Sequence, residues 1–454
     1  MPLPMTIGIL GETREGERRA ALTPDDVAWL VKQGVPVLVE KNPRRIFTGE
    51  EYEQAGARLV TRAHDAGLLM GIKEPRIGDL LPGRIYAVFS HTIKGQDHNM
   101  PLLRAFLEER ITLLDYEAMV DGRGKRLIYF GRFAGICGML DSLHCLGARL
   151  ALRGLTTPLS LIRPAWQYAS LEEARTDLVR AREAIAGEGL PLALSPFIIG
   201  VTGHGNVSRG AQEILDELDP VEIHPRRMES FTQHEQAERH RIFKIVLEPE
   251  EKLRRRDKGE FYMEEYLADP DRFESNLDRY LPYLTLLIHT SYWDERYPRL
   301  VTKKLLQELS RAGRLRLEMI GDLSCDIRGS IEITSHATTS RDPVFTYDHI
   351  RDRETNGLAG DGITVLAVDN LPTELPRDAS RGFSSQIREY AYQVATCGLA
   401  QGEESPGVQA GVRRGLVTHD GRLTRRFAHL SDFVGGVRPR PSRAFSGPSR
   451  TASR

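Results

Sequence analysis

Four short apolar runs early in the chain end on polar residues able to move protons or hold carboxylates. Thr6–Leu10 leads to Glu12, Arg14, Glu17, Arg18 and Arg19, and Leu68–Ile72 leads to Lys73 and Glu74. Ile85–Phe89 leads to Ser90, His91 and Lys94, and Ile111–Leu114 to Asp115 and Glu117. In an open parallel sheet ligands collect beyond the carboxyl ends of strands, so polar side chains there outweigh charges elsewhere. Neighbouring parallel strands would bring Lys73, His91 and Glu117 to one rim, where an amine, an imidazole and a carboxylate could serve one substrate. Partial burial or a nearby cation lowers a lysine pKa, and carboxylates such as Glu74 and Glu117 oppose that shift, so the set can exchange protons near neutral pH. Arg18 could grip a substrate carboxylate in a bidentate fork. Any one of these residues suits a solvated loop equally well. Together they point to hydride transfer at a carbon that also gains or loses protons, on a carboxylate-bearing substrate.

A second group lies further along. The apolar run Phe197–Val201 opens into Thr202-Gly203-His204-Gly205-Asn206-Val207-Ser208-Arg209-Gly210 and then a helical pattern. Bare backbone in such a turn can approach a pyrophosphate seated on the helix N-terminus. Ser208 stands where a third glycine is expected and Gly210 follows two residues later, so a purely structural turn is the alternative. The next strand segment, Val221–His224, lacks a terminal acid to accept from a ribose 2′-hydroxyl, and Arg226 and Arg227 follow it. Two guanidinium groups suit a 2′-phosphate and favour NADP(H) over NAD(H), unless the pair is merely solvated.

The elements that must position these residues alternate between strand-length apolar runs and helical segments, the pattern of an α/β protein with parallel sheets flanked by helices. We expect a substrate-binding, catalytic domain over residues 1–140, completed by about 360–430, and a dinucleotide-binding domain over 141–359. Thr23 should cap a helix with Pro24 at its first position, stopping at Gly34. Gly131–Gly147 reads as a tightly packed helix crossing between the domains. Strands are expected at Val221–His224, Ile242–Leu247, Leu284–His289 and Ile363–Val368, the last followed by a helix that returns to the first domain. The Pro-, Ser- and Arg-rich segment 436–454 reads as a disordered tail.

Composition narrows the partners. The 454 residues suffice for two or three cores, and 62 basic against 63 acidic residues leave a net charge of -1. This balance gives no electrostatic case for nucleic acid or an anionic membrane. No run reaches the roughly 20 apolar residues needed to span a bilayer, and no cationic-then-apolar leader precedes Thr6, so a cytoplasmic protein is expected. The four cysteines show no CxxC spacing and should be buried free thiols, and the thirteen histidines show no zinc motif, so no metal is expected.

The same stretches resemble the lysine-ketoglutarate reductase, or lysine-forming saccharopine dehydrogenase, family and more distantly the alanine dehydrogenase and transhydrogenase group. The resemblance runs from Ile7 to about Arg426 and is carried by ERRAALTP (Glu17–Pro24), GIKEP (Gly71–Pro75), FSHTIKGQ (Phe89–Gln96), FGRFAGICGMLDSLHCLG (Phe130–Gly147), TGHGNVSRGAQEI (Thr202–Ile214), SYWDERYPRLVT (Ser291–Thr302), GDLSCDIRGSIE (Gly321–Glu332) and AVDNLPTELPRDAS (Ala367–Ser380). It implies two Rossmann-like domains with the active site in the cleft between them. It also implies condensation of the lysine ε-amine with 2-oxoglutarate and reduction of the imine by NADPH to saccharopine, reversibly. Position by position, Lys73 and His91 look like the acid-base pair, Glu74 and Glu117 like carboxylates that tune it, and Arg18 and Lys94 like substrate-binding cations. Gly203, Gly205, Asn206, Val207, Arg226 and Arg227 would serve the cofactor, and Asp369 resembles an acid lying near the nicotinamide. Relatives that fuse a second, saccharopine-cleaving module set the contrast from which a monofunctional reductase, with a separately encoded cleaving partner, is expected. A related amino-acid or opine dehydrogenase using another amine, and a non-catalytic NADP-binding sensor, are the competing readings.

Overall fold

The computed structural model describes residues 3–234 and 238–435; the segment expected to be a disordered tail lies outside them. The chain divides into two units, Met1–Tyr129 with Ser380–Arg454, and Phe130–Ala379. The divisions fall at 129/130 and 379/380, where the sequence suggested 140 and about 360.

In the first unit the apolar runs form β1 (Ile7–Ile9), β2 (Val37–Glu40), β3 (Arg58–Val60), β4 (Leu68–Met70), β5 (Ile85–Val88) and β6 (Thr112–Asp115). The order β3-β2-β1-β4-β5-β6 is parallel throughout, and the strands Leu416–His419 and Arg422–Leu423 extend it beyond β6 in antiparallel pairing. Strands β1, β4, β5 and β6 are buried on both faces, which is why they read as unbroken apolar runs rather than alternating ones. Helix α1 (Pro24–Lys32) starts as the sequence implies: Thr23 accepts from the Asp26 N–H, Pro24 takes the first turn, and Gly34 leaves with φ +82°. The order 3-2-1-4-5-6 reverses direction between β1 and β4, and ligands bind outside the strand ends at such a point.

The second unit holds α2 (Gly131–Leu152), α3 (Leu171–Glu188), β7 (Phe197–Thr202), α4 (Asn206–Asp216), β8 (Val221–Glu222), β9 (Ile242–Leu247), the hairpin β10 (Leu253–Arg255) and β11 (Phe273–Ser275), β12 (Leu286–His289), β13 (Met319–Asp322), β14 (Val344–Asp348), β15 (Arg353–Asn356) and β16 (Ile363–Leu366). Its sheet runs β15-β14-β16-β13-β12-β7-β9-β8, parallel from β16 to β8. The run at Ile363 therefore belongs here, paired with β13 and β14, and not to the first unit as expected. What returns to the first unit is the later part of α5 (Pro376–Cys397): the Ser380 and Ser384 hydroxyls accept from the Ala20 and Thr23 N–H groups.

The glycine-spaced helix α2 lies inside the second unit and packs on α4. A Cβ on Gly135 would stand 1.9 Å from the Val207 carbonyl oxygen, and one on Gly210 equally close to that of Arg132. Gly210, displaced from the usual third-glycine place, thus permits helix-on-helix contact. Of the four free cysteines Cys137 and Cys145 are buried, but Cys325 is only half-buried and Cys397, ending α5, is exposed, which corrects the expectation for those two. Among the described residues no helix is long and apolar enough to cross a membrane.

Close approach of α2 and α4 has a measurable consequence. Gly135→Ala should lower the unfolding free energy by about 2 kcal/mol or more, as overpacking against a backbone does. Gly187→Ala, late in α3 with open space at its Cβ, should be neutral or stabilising by up to about 1 kcal/mol. Urea denaturation of both variants checks this; similar losses in the two would remove close packing as the cause.

Candidate functional site

In the first unit Lys73 and Glu74 follow β4, His91 follows β5, and Glu117 sits in the short turn after β6, so three adjacent parallel strands deliver them to one rim. Two buried carboxylates fix this rim from below. Glu12, just beyond β1, accepts the Ile72 N–H at 2.6 Å and the Lys73 N–H at 3.1 Å, tying the end of β4 across the reversal point. Asp115, the last residue of β6, accepts from the Ser90 N–H at 3.1 Å, from the Ser90 hydroxyl, and from the Glu117 N–H at 2.7 Å. Burial pushes the Glu12 carboxyl up to about 7 against the opposing N–H bonds, and pushes Asp115 up to about 6 against the Ser90 hydroxyl.

The groups above them are electrostatically linked. Burial lowers the Lys73 amine, the Arg19 and Arg14 charges lower it further, and Glu17 and Glu74 offset part of this. His91 Nδ1 lies 2.5 Å from Glu74 Oε1. Burial alone would raise the Glu74 carboxyl, but the His91 hydrogen bond and the Lys73 charge outweigh it and the carboxyl is lowered. His91 itself has φ +52°, a left-handed conformation that costs a non-glycine residue about 1–3 kcal/mol. Asn99 Nδ2 donates to its carbonyl at 2.8 Å and Phe89 stacks on its ring, and these contacts hold it there. Glu117 pairs with Arg126, and Lys94 Nζ stands 4.0 Å from Glu117 Oε1. A cavity of about 290 Å³ lined by Glu12, Thr13, Lys73, Glu74 and Tyr86 opens beside this rim.

The side chain of Arg18 is exposed, whereas the adjacent Arg19 is buried, paired bidentately with Glu17, and felt by Lys73. The physical reason is local: Arg18 carries the backbone contact to Ile46 through its carbonyl, and its neighbour points inward beside the buried Ala20 and Ala21. Glu12, Glu17, Arg19 and Asp115 were visible as polar residues after strands, but nothing in their spacing marked them as buried.

In the second unit, Gly203 turns with φ +89°, and a Cβ there would meet the Thr290 and Ser291 hydroxyls at 3.1 Å. Gly205 caps α4 with no side-chain bond, so Asn206 and Val207 begin the helix with backbone N–H groups facing the turn. A dinucleotide pyrophosphate fits such an opening, where bare N–H groups and the helix dipole meet a dianion. Thr202 Oγ1 lies 2.9 Å from the buried His289 Nδ1 on β12, bracing the turn from the neighbouring strand. Asp369 follows β16 on the same carboxyl rim, exposed and acting on Cys325. Arg226 and Arg227 are exposed on the turn after β8. Strand β8 is not the neighbour of β7: β9 lies between them, and the residue that follows β9 is Glu248, whose Oε2 is 2.8 Å from His204 Nδ1.

Residues 8–137 match the family model "Alanine dehydrogenase/PNT, N-terminal domain" and residues 201–426 the corresponding C-terminal domain. The chain is 34% identical to alpha-aminoadipic semialdehyde synthase of Arabidopsis thaliana, over 93% of this chain and 41% of that protein. The mitochondrial protein of the same name from Bos taurus is 33% identical, over 91% and 46%. The chain thus spans less than half the length of these relatives. A saccharopine dehydrogenase (NAD(+), L-lysine-forming) of Neurospora crassa is 27% identical over 85% of this chain and 90% of its own. Among solved structures, an L-alanine dehydrogenase superposes with a TM-score of 0.60 at 18% identity, covering 94% of this chain and 99% of its own. A transhydrogenase from Sinorhizobium meliloti gives 0.54 at 16%, covering 92% and 98%. These likenesses establish the two-domain fold of alanine dehydrogenase.

The buried Glu12 sets a pH dependence that can be measured. Its carboxyl titrates near 4.5 when exposed and near 7 in the fold, so its contribution is fully present below about 4.5 and is lost as pH rises through about 7. A shift of this size corresponds to roughly 3 kcal/mol. Glu12→Gln should flatten the decline in unfolding free energy between pH 5 and pH 7.5; an unchanged slope in urea titrations would show that Glu12 does not hold its proton.

Proposed function

Because the chain belongs to the alanine dehydrogenase/PNT family, we propose that it condenses L-lysine with 2-oxoglutarate and reduces the resulting imine with a nicotinamide dinucleotide to saccharopine, reversibly. The observation that carries this reading is the delivery of Lys73 and His91 by adjacent parallel strands to the reversal point of the first sheet. The likeness to the Neurospora saccharopine dehydrogenase, which forms L-lysine, supports lysine and saccharopine as the reacting pair.

The chemistry divides among the chain's own residues. The substrate ε-ammonium must lose a proton before its nitrogen can attack the ketone carbon of 2-oxoglutarate. Lys73, whose hold on its own proton is weakened by burial and by neighbouring cations, is the group placed to accept that proton. The carbinolamine oxygen must then gain a proton to leave as water, and His91, aligned by Glu74 through Nδ1, supplies it. Glu117, paired with Arg126 and close to Lys94, keeps the rim's charge balanced as protons move. Lys94 and the exposed Arg18 are the cations set to hold substrate carboxylates, while Arg19 is forked onto the buried Glu17. In the second unit Gly203, Gly205, Asn206 and Val207 would hold the pyrophosphate, with Asp369 at the same rim. A nicotinamide held there would supply the hydride for the protonated imine that loss of water leaves, giving the secondary amine. Arg226 and Arg227 lie in the turn after β8, the outermost strand of this sheet.

The reading is tested by following oxidation of reduced nicotinamide with 2-oxoglutarate and, in turn, lysine, ammonia and other amines, with mass analysis of the product. Saccharopine from lysine is expected; faster turnover with ammonia would move the chain to an alanine-dehydrogenase-like activity. Lys73→Met should cut turnover by about a hundredfold or more while leaving nucleotide binding intact. Undiminished turnover would take Lys73 out of the mechanism.

A further inference from the structure

We propose that Glu248, at the end of β9, selects the ribose of the cofactor's adenosine and that this chain takes NAD(H) in preference to NADP(H). The inference rests on the second unit's being the dinucleotide-binding half, and it does not depend on which amine and oxo acid react.

Strand order sets which side chain lies beside the glycine turn. In a strand-turn-helix dinucleotide site the ribose next to the adenine lies over the end of the strand paired with the glycine strand, and an acid there accepts from its 2′-hydroxyl. Usually that strand is the first one after the glycine helix. Here the first strand after α4 is β8, and it goes to the edge of the sheet; the second, β9, inserts against β7. The pairing of β7 with β9 is continuous from Phe197 opposite Ile242 to Thr202 opposite Leu247. The ladder carries on into the turn, because the Gly203 N–H donates to the Leu247 carbonyl at 3.1 Å. The next residue of β9 is Glu248, so a carboxylate occupies the ribose position beside the glycine turn.

The surroundings favour a hydroxyl over a phosphate. Glu248 Oε2 lies 2.8 Å from His204 Nδ1, which orients the carboxylate, and its side chain is 40% exposed, open to a ligand. Glu250 and Glu251 follow within one turn, so a 2′-phosphate would meet a concentration of like charge. Lys252, the nearest cation in sequence, is buried with Nζ committed to the Ser291 hydroxyl. Arg226 and Arg227 stand one strand further out, about 4.8 Å in sheet spacing, and Arg226 is already within electrostatic reach of Glu251.

The experiment is equilibrium binding of NADH and of NADPH to the purified full chain, followed by nicotinamide fluorescence without lysine or 2-oxoglutarate. NADH should bind about tenfold or more tightly than NADPH, the scale of a charge-assisted hydrogen bond. Glu248→Ser should erase most of that ratio by weakening NADH, and Glu248→Gln should weaken it less. Arg226→Ala combined with Arg227→Ala should leave the ratio within about twofold. Tighter NADPH binding by the wild type, a ratio unmoved by Glu248→Ser, or a ratio changed by the arginine pair would each overturn the assignment. Failure of the wild type to bind either nucleotide would overturn the reading of the second unit itself, whereas tight NADH binding without lysine-dependent turnover would leave the Glu248 assignment standing and remove only the proposed substrates.

Discussion

A carboxylate sealed beneath the carboxyl ends of β1 and β4 holds the backbone that carries Lys73. Each oxygen of Glu12 receives one N–H from the departing end of β4, and those two N–H groups have passed beyond the sheet ladder and need acceptors. The backbone ladder with β5 ends with the Gly71 N–H on the Ala87 carbonyl and the Phe89 N–H on the Ile72 carbonyl, so Glu12 supplies the next tie, at Lys73. Asp115 performs the corresponding task for the segment that carries His91, through Ser90, and for Glu117 through its own turn. Both acids are buried at the cost of raised pKa values. That cost is the price of placing an amine, an imidazole and a carboxylate on chain that is no longer part of the sheet.

The two units apply one architecture differently. In the first, the order 3-2-1-4-5-6 opens a crevice at the reversal between β1 and β4, and the polar groups gather there. In the second, β8 and β9 exchange the places that this order would give them. The uncapped start of α4 and the Thr202–His289 bond are unaffected, since they depend on β7, α4 and β12 alone. What the exchange alters is the side chain presented next to the turn. The close packing of α2 on α4 through Gly135 and Gly210 fixes the helix whose N-terminus faces that turn, so the glycine spacing at 131–147 serves the cofactor half from behind.

Much of this is legible in the sequence. Apolar runs of strand length marked β1, β4, β5, β6, β7 and β9 to within a residue or two, because a strand covered on both faces must be apolar throughout. The cap at Thr23 and the turn at Gly203 were equally plain, since their chemistry is local. The choice between Arg18 and Arg19 was not, because adjacent residues in an irregular loop differ in direction only through long-range contacts such as that of Arg18 with Ile46. Nor was the membership of β16, whose composition suits either sheet.

By itself, then, the sequence determined which segments become parallel strands, which polar residues stand at their carboxyl ends, and where a pyrophosphate could rest, because these follow from local hydrophobicity, turn chemistry and helix capping. Only the tertiary structure decided which strands are neighbours, and with that which arginine turns inward, which carboxylates lose their water, and that Glu248 rather than Arg226 stands beside the glycine turn. Pairing between strands far apart in the chain carries no local signature: the same apolar residues can be satisfied by more than one order of strands, and the order is settled by the packing of the whole unit.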